Sequence, residues 1–146
     1  IAGLNAAQKW FAELGRSLGA DSSGSHGEIC AAALAHVHET ETSATQHLID
    51  AFGAIDAVKI YGPGAGQPRV STLSINIGEL PADQVGAMLD ADHAVCVRPG
   101  LHCAPDVHEF LGTISQKGTV RFAPGYFTDS EDLQQAVEAV RSIVED

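Results

Sequence analysis

The sequence predicts an α+β fold, with helices covering one face of a small antiparallel or mixed sheet of about three or four strands. In the first two segments of the chain, apolar residues recur at helical spacing. Four short apolar segments follow and alternate with helices and Pro/Gly turns. The chain has 146 residues and 45% hydrophobic content, which is enough for one folded domain.

The first two elements are predicted to be helices over residues 3–19 and 28–52. Apolar residues recur at helical spacing from Leu4 to Leu18, and Gly19 is a suitable stop. Residues 21–27 are rich in Ser and Gly, which predicts a loop between the two helices.

Strands are predicted over residues 58–61, 70–77, 94–97 and 119–122. In the second of these, Ser71, Leu73, Ile75 and Ile77 alternate with polar residues, so one face is expected to be buried. Residues 62–68 form a Gly/Pro loop without the Lys-Ser/Thr ending of a phosphate-binding loop. Pro99-Gly100 is predicted to end the third strand.

Three further helices are predicted in the second half of the chain. One begins at Pro81 and runs to about residue 90, and a short one runs from residue 105 to 111, before Gly112. The last begins at a capping box formed by Thr128 and Glu131. Its inward residues are expected to be Leu133, Val137, Val140 and Val144.

Charge and cysteine content exclude several classes of function. A net charge of -11 argues against binding nucleic acid or anionic membranes. No apolar run approaches the roughly 20 residues of a membrane span, and there is no signal-peptide pattern. The odd set Cys30, Cys96 and Cys103 lacks a CxxC pair, which disfavours a disulfide framework and indicates a cytoplasmic protein.

Cys103 is the first candidate functional residue. It follows a Pro-Gly pair and precedes a proline-started helix, so it is expected on a loop near a helix N-terminus and beside His102. A helix dipole and a neighbouring cation both favour the reactive thiolate form. The alternative at this point is a buried, inert cysteine.

Arg121 is the second candidate. If Val120 and Phe122 pack into the core, Arg121 must point to the opposite face of its strand, where a guanidinium can bind a carboxylate through two hydrogen bonds. The alternative is a structural ion pair. Arg98, close to a predicted strand, is open to the same two interpretations.

The segment Arg98-x-Gly100-x-His102-Cys103-Ala104 resembles the active-cysteine motif of class-V aminotransferases, in their cysteine desulfurase and selenocysteine lyase branch. Pro105, His108, the segment 111–113 and the segment 118–121 extend the resemblance. Tyr61-Gly62-Pro63 and the segment 125–128 also match family landmarks, so the similarity spans nearly the whole chain.

The resemblance implies the C-terminal small domain of a fold-type I enzyme that uses pyridoxal 5'-phosphate. It implies that Cys103 accepts sulfur as a persulfide, that Arg121 binds the substrate carboxylate, and that Arg98 and His102 line the same site. The implied substrate is L-cysteine, selenocysteine or a similar amino acid. The implied full-length enzyme is a homodimer.

No cofactor-binding residue is predicted in this chain. Its lysines, Lys9, Lys59 and Lys117, all lie outside the family's His-Lys context. The first residue is Ile1 and the only methionine is Met88, so we expect a piece of a longer protein that lacks the large cofactor domain. The piece alone is expected to be inactive.

Two other interpretations of these residues are weaker, and one different function stays open. His36 and His38 diverge on a helix, and Cys103 with His108 lacks further ligands, so no metal site is predicted. A Cys–His–Asp hydrolase is disfavoured because His102 is adjacent to Cys103 in sequence. The open alternative is a non-catalytic interaction or sulfur-relay module that keeps the fold.

Overall fold

The computed structural model describes residues 1–21, 23–64 and 67–145. Within these ranges the helices are α1 (Ala2–Ser17), α2 (His26–Gly53), α3 (Ala82–His93), α4 (Pro105–Leu111) and α5 (Ser130–Glu145). The strands are β1 (Val58–Tyr61), β2 (Leu73–Ile77), β3 (Arg98–Gly100) and β4 (Thr119–Phe122). Ser22, Ala65 and Gly66, which belong to the two predicted loops, lie outside the described residues.

The four strands form one open antiparallel sheet in the order β1-β2-β4-β3. The predicted α+β class is therefore confirmed. No helix within the described ranges is both long enough and apolar enough to cross a membrane.

The chain divides into two compact units, residues 1–41 and 42–146. In the first unit, α1 and the beginning of α2 bury Ala12, Ile29 and Ala33. A Cβ added at Gly15 would overlap the carbonyl oxygen of Ile29, so the two helix backbones meet closely at this glycine.

The core of the second unit lies on one face of the sheet. Leu73 and Ile75 of β2 and Val120 and Phe122 of β4 are buried, and each contributes about 1.5–3 kcal/mol through burial. Helices cover this face, and the ring of Phe52 in α2 lies 5.1 Å from that of Phe122. Further buried residues come from α2, α3 and α5: Leu48, Val85, Leu89, Val137, Val140 and Ile143.

The prediction of a strand over residues 94–97 is wrong. Helix α3 continues to His93 and ends at Ala94, whose φ is +54°, and the strand begins only at Arg98. Pro99 lies inside β3 because β3 is an edge strand, where the missing N–H breaks no central ladder bond. The ring of Pro99 packs against Gly86 of α3, where an added Cβ would lie 2.6 Å from its Cγ.

Two other boundaries differ from the prediction. Strand β2 begins at Leu73 rather than residue 70, and the Ser71 hydroxyl before it donates to the carbonyl oxygen of Pro124 and lies 3.0 Å from the hydroxyl of the buried Thr45. The cap of α5 is formed by Asp129 and Asp132. Asp129 Oδ1 accepts from the N–H of Asp132 at 3.0 Å, and Asp132 Oδ2 accepts from the N–H of Asp129 at 3.0 Å.

Thr128, the predicted cap, has a different partner. Its Oγ1 accepts a hydrogen bond from the N–H of Gly125 at 3.0 Å and closes the turn before the helix. The capping box therefore exists one residue later than predicted, with carboxylates at both positions.

Gly118→Ala tests the close approach that joins β4 to the end of β3. Gly118 has a φ of +101°, and an added Cβ would overlap the carbonyl oxygen of Gly100. We expect the free energy of unfolding to fall by about 2–4 kcal/mol, from backbone strain and overpacking together, in urea unfolding. Gly27→Ala is the control, because nothing lies within 4 Å of its added Cβ. Equal stability of Gly118→Ala and the wild type would contradict this packing.

Candidate active site

The polar face of the sheet carries one row of side chains that crosses all four strands. Tyr61 pairs with Ser74, Ser74 with Arg121, and Arg121 with Arg98. Directly opposed residues in antiparallel strands project to the same face. These four residues therefore lie on the face of the sheet opposite the core.

Arg121 occupies the position that the alternation predicts. Its neighbours Val120 and Phe122 are buried in the core, and Arg121 itself is half-buried on the other face. Arg98 is directly opposite Arg121 and is exposed at the edge of the sheet. The two predicted arginines are thus brought together by register.

Cys103 lies on the turn that connects β3 to α4. Gly100, His102 and Cys103 all have positive φ, at +115°, +52° and +61°. Left-handed conformations in non-glycine residues cost about 1–2 kcal/mol each and concentrate at functional sites. Cys103 is exposed, not buried, and its Sγ lies 3.9 Å from Arg98 Nη2.

A cavity of about 360 Å³ opens on the polar face between the sheet and α4. The described residues that line it include two arginines and two histidines, and none of them is Asp or Glu. The polar side chains that line it include Tyr61, Arg69, Thr72, Ser74, His102, His108, Thr119 and Arg121. In a chain of net charge -11, this local excess of cationic and neutral donors favours an anionic ligand.

Three buried nitrogens of this cavity have no hydrogen-bond partner in the described part of the chain. They are Arg69 Nε, His102 Nδ1 and Arg121 Nε. Buried polar groups are normally paired, so each such atom needs an explanation. A bound carboxylate would satisfy an arginine Nε–H and would also balance the guanidinium charge.

His102 is held in its neutral form. Burial lowers its pKa most, and electrostatic interactions with Arg121, His108 and Arg98 lower it further. Its Nε2 lies 3.2 Å from Thr119 Oγ1. The sequence suggested that His102 would be the cation beside Cys103. In the structure, the cationic group in contact with Cys103 Sγ is Arg98.

The side chain of His108, in α4, is hydrogen-bonded to Thr113 just beyond the end of the helix. It is only 4% exposed, and its Nδ1 lies 2.8 Å from the buried hydroxyl of Thr113. Its ring centroid is 5.7 Å from that of His102. No group of three His, Cys, Asp or Glu side chains suited to a metal ion was found across residues 1–21, 23–64 and 67–145.

Arg69 is the cavity residue that the sequence did not indicate. It stands in the Gly/Pro loop region outside any periodic pattern, so nothing in the sequence assigns its side chain to a face. Its Nη2 donates to the carbonyl oxygen of Thr72 at 3.0 Å, which holds the guanidinium against the start of β2.

The cavity offers no amine that could anchor pyridoxal phosphate. None of the three lysines lines it. Lys117 Nζ is 2.6 Å from Asp83 Oδ2, and Lys59 Nζ lies 5.0 Å from the ring centroid of Tyr61. Lys9 belongs to α1 in the first unit. The described lining therefore holds arginines that could bind a carboxylate but no lysine that could anchor the cofactor.

Comparison with known proteins identifies relatives of one kind. The family model described as aminotransferase class-V matches residues 28–136. A probable cysteine desulfurase of Vibrio cholerae is 30% identical over 79% of this chain and 26% of its own length. One of Methanothermobacter thermautotrophicus is 32% identical over 68% of this chain and 24% of its own length.

A solved structure has the same fold. The apo cysteine desulfurase of Thermococcus onnurineus superposes with a TM-score of 0.70 and 26% identity, over 82% of this chain and 31% of that one. The chain spans about a quarter of the length of the two relatives from Vibrio cholerae and Methanothermobacter thermautotrophicus.

The protonation of His102 provides a test of the electrostatics. Because Arg121 lowers its pKa, Arg121→Gln should raise that pKa in an NMR titration of the histidine rings. Lys117→Gln is the control, since Lys117 is not among the causes of the shift. An unchanged His102 pKa in Arg121→Gln would contradict the geometry.

The lowered pKa of His102 also predicts how the stability of the fold depends on pH. The folded state disfavours the protonated ring, so the unfolded state binds more protons just below the ordinary histidine pKa of about 6.5. The contribution of His102 to the free energy of unfolding should therefore be present at pH 7. It should decrease as the pH falls below the ordinary histidine pKa of about 6.5. His102→Asn should remove this part of the pH dependence.

Proposed function

Because the chain belongs to the class-V aminotransferase family, we propose that it is the C-terminal small domain of a cytoplasmic, pyridoxal-phosphate-dependent cysteine desulfurase. The observation that carries the proposal is that Arg98 contacts the sulfur of Cys103 and pairs across the strands with Arg121, which lines a cavity with no acidic residue among its described lining. The full-length enzyme is proposed to act as a homodimer on L-cysteine or a similar amino acid.

Arg121 is proposed to bind the carboxylate of the substrate. Its Nε is buried and unpartnered among the described residues, which supports a two-point contact with a carboxylate entering the cavity. Ser74, its cross-strand neighbour, and neutral His102 add polar groups without adding negative charge.

Cys103 is proposed to accept the substrate sulfur as a persulfide. Its exposure and its contact with Arg98 Nη2 support this role, since a nearby guanidinium stabilises an anionic sulfur. In the family, pyridoxal phosphate supplies the electron sink for such chemistry. It must be anchored outside this chain's cavity.

A sulfur-relay module is the second candidate. The absence of a lysine from the cavity lining favours it, because Cys103 and Arg98 can carry a persulfide without the cofactor. The two candidates differ in the full-length protein: a desulfurase forms alanine from L-cysteine, whereas a relay gains sulfur only from a persulfide donor.

Cys103→Ser in the full-length protein should reduce alanine formation from L-cysteine at least about 100-fold, because no thiolate remains to take the sulfur. Mass spectrometry should find the persulfide on Cys103 of the wild type. Cys96→Ser is the matched control, since Cys96 is also exposed but precedes β3 and so lies outside the turn that carries Cys103. Undiminished activity of Cys103→Ser would refute the assigned role.

Arg121→Lys should raise the KM for L-cysteine about 10- to 100-fold, because an ammonium cannot replace the two parallel bonds of a guanidinium. Arg141→Gln, an exposed change on α5, should leave KM unaltered. Steady-state kinetics of both variants give the comparison, and an unaffected KM in Arg121→Lys would place the carboxylate elsewhere.

A further inference from the structure

Arg69 places a second guanidinium in the cavity of Arg121. Its Nη2 is held by the carbonyl oxygen of Thr72 and lies 3.3 Å from where a Cβ of Gly62 would be. Only a glycine, here with a φ of +117°, leaves this much room for the arginine. The Nε of Arg69 is nevertheless buried without a partner among the described residues.

The two arginines reach the cavity from different parts of the sheet. Arg121 is on β4, while Arg69 lies against Gly62, which directly follows β1. Arg69 itself precedes β2, and its Nη2 is held at the carbonyl oxygen of Thr72. Each guanidinium keeps its own buried Nε–H without a partner among the described residues, so each can bind an anionic group of its own.

The charge of the cavity supports the same conclusion. With no Asp or Glu in its lining, neither guanidinium is balanced by a carboxylate there, and one bound carboxylate leaves the second charge without a counter-ion. Partly buried charges without partners are costly. The volume of about 360 Å³ also exceeds what a single small carboxylate fills.

We propose that Arg69 forms a second carboxylate subsite, so that the cavity binds amino acids with two carboxylates in preference to those with one. The ligand's α-carboxylate lies on Arg121, and the acidic end of its side chain lies on Arg69. This inference rests on the proposed function only for the role of Arg121. Arg69 is then a residue that determines specificity.

A structural role is the competing explanation. The bond from Arg69 to the Thr72 carbonyl oxygen braces the loop before β2, and an arginine that only braces would not distinguish charged from neutral ligands. The test must therefore compare two ligands of the same shape that differ in charge.

S-carboxymethyl-L-cysteine and S-carbamoylmethyl-L-cysteine form such a pair. Their equilibrium binding to the full-length protein is measured at one pH and one ionic strength. The acid should bind about 10- to 100-fold more tightly than the amide. In Arg69→Gln this ratio should fall close to one, whereas Arg121→Gln should weaken both ligands.

Equal binding of acid and amide to the wild type overturns the proposal, and so does a ratio that persists in Arg69→Gln. If Arg69→Gln does not fold, the wild-type ratio decides alone, with Arg69→Lys as the variant that keeps the charge. Arg141→Gln is the control for surface charge. An acid preference that is present in the wild type and lost in Arg69→Gln, together with no alanine formed from L-cysteine by the wild type, would reject the desulfurase proposal and leave the second subsite intact.

Discussion

The pairing of Arg98 with Arg121 across β3 and β4 determines which groups share the polar face of the sheet. Side chains alternate along a strand, so a shift of one residue would turn Arg121 into the core and Val120 into the cavity. The buried pair Val120 and Phe122 opposes that shift with several kcal/mol of apolar burial. The packing of Val120 and Phe122 on the core face therefore keeps Arg121 on the polar face of the sheet.

The turn after β3 depends on the same pairing. Thr119 is opposite Gly100, and the glycine at 118 lets the two backbones approach closely enough for the turn to bring Cys103 beside Arg98. The hydrogen bond between His108 and Thr113 closes the C-terminal end of α4, whose residues line part of the cavity. Burial and nearby positive charge lower the pKa of His102 and favour its neutral form. His102 therefore adds a neutral hydrogen-bonding group to the cavity, and the proposed carboxylate is left to Arg121.

Local patterns predicted the elements whose ends carry strong signals. Helix α4, between Pro105 and Gly112, and strands β1 and β4 have the predicted bounds. Strand β3 was misplaced because Val95 and Val97 only pack beside the core, while Pro99 is tolerated at a sheet edge that sequence alone does not reveal. Arg69 was missed for a related reason: its place in the cavity depends on Thr72 and Gly62, which are contacts made in three dimensions.

The most direct test of the account is a crystal structure of the full-length protein with bound L-alanine, the organic product expected of a desulfurase. The account predicts the alanine carboxylate on Arg121, with its Nε among the donors, and Cys103 Sγ on the same side of the sheet near Arg98. A carboxylate bound elsewhere, or a Cys103 sulfur directed away from that face, would contradict it.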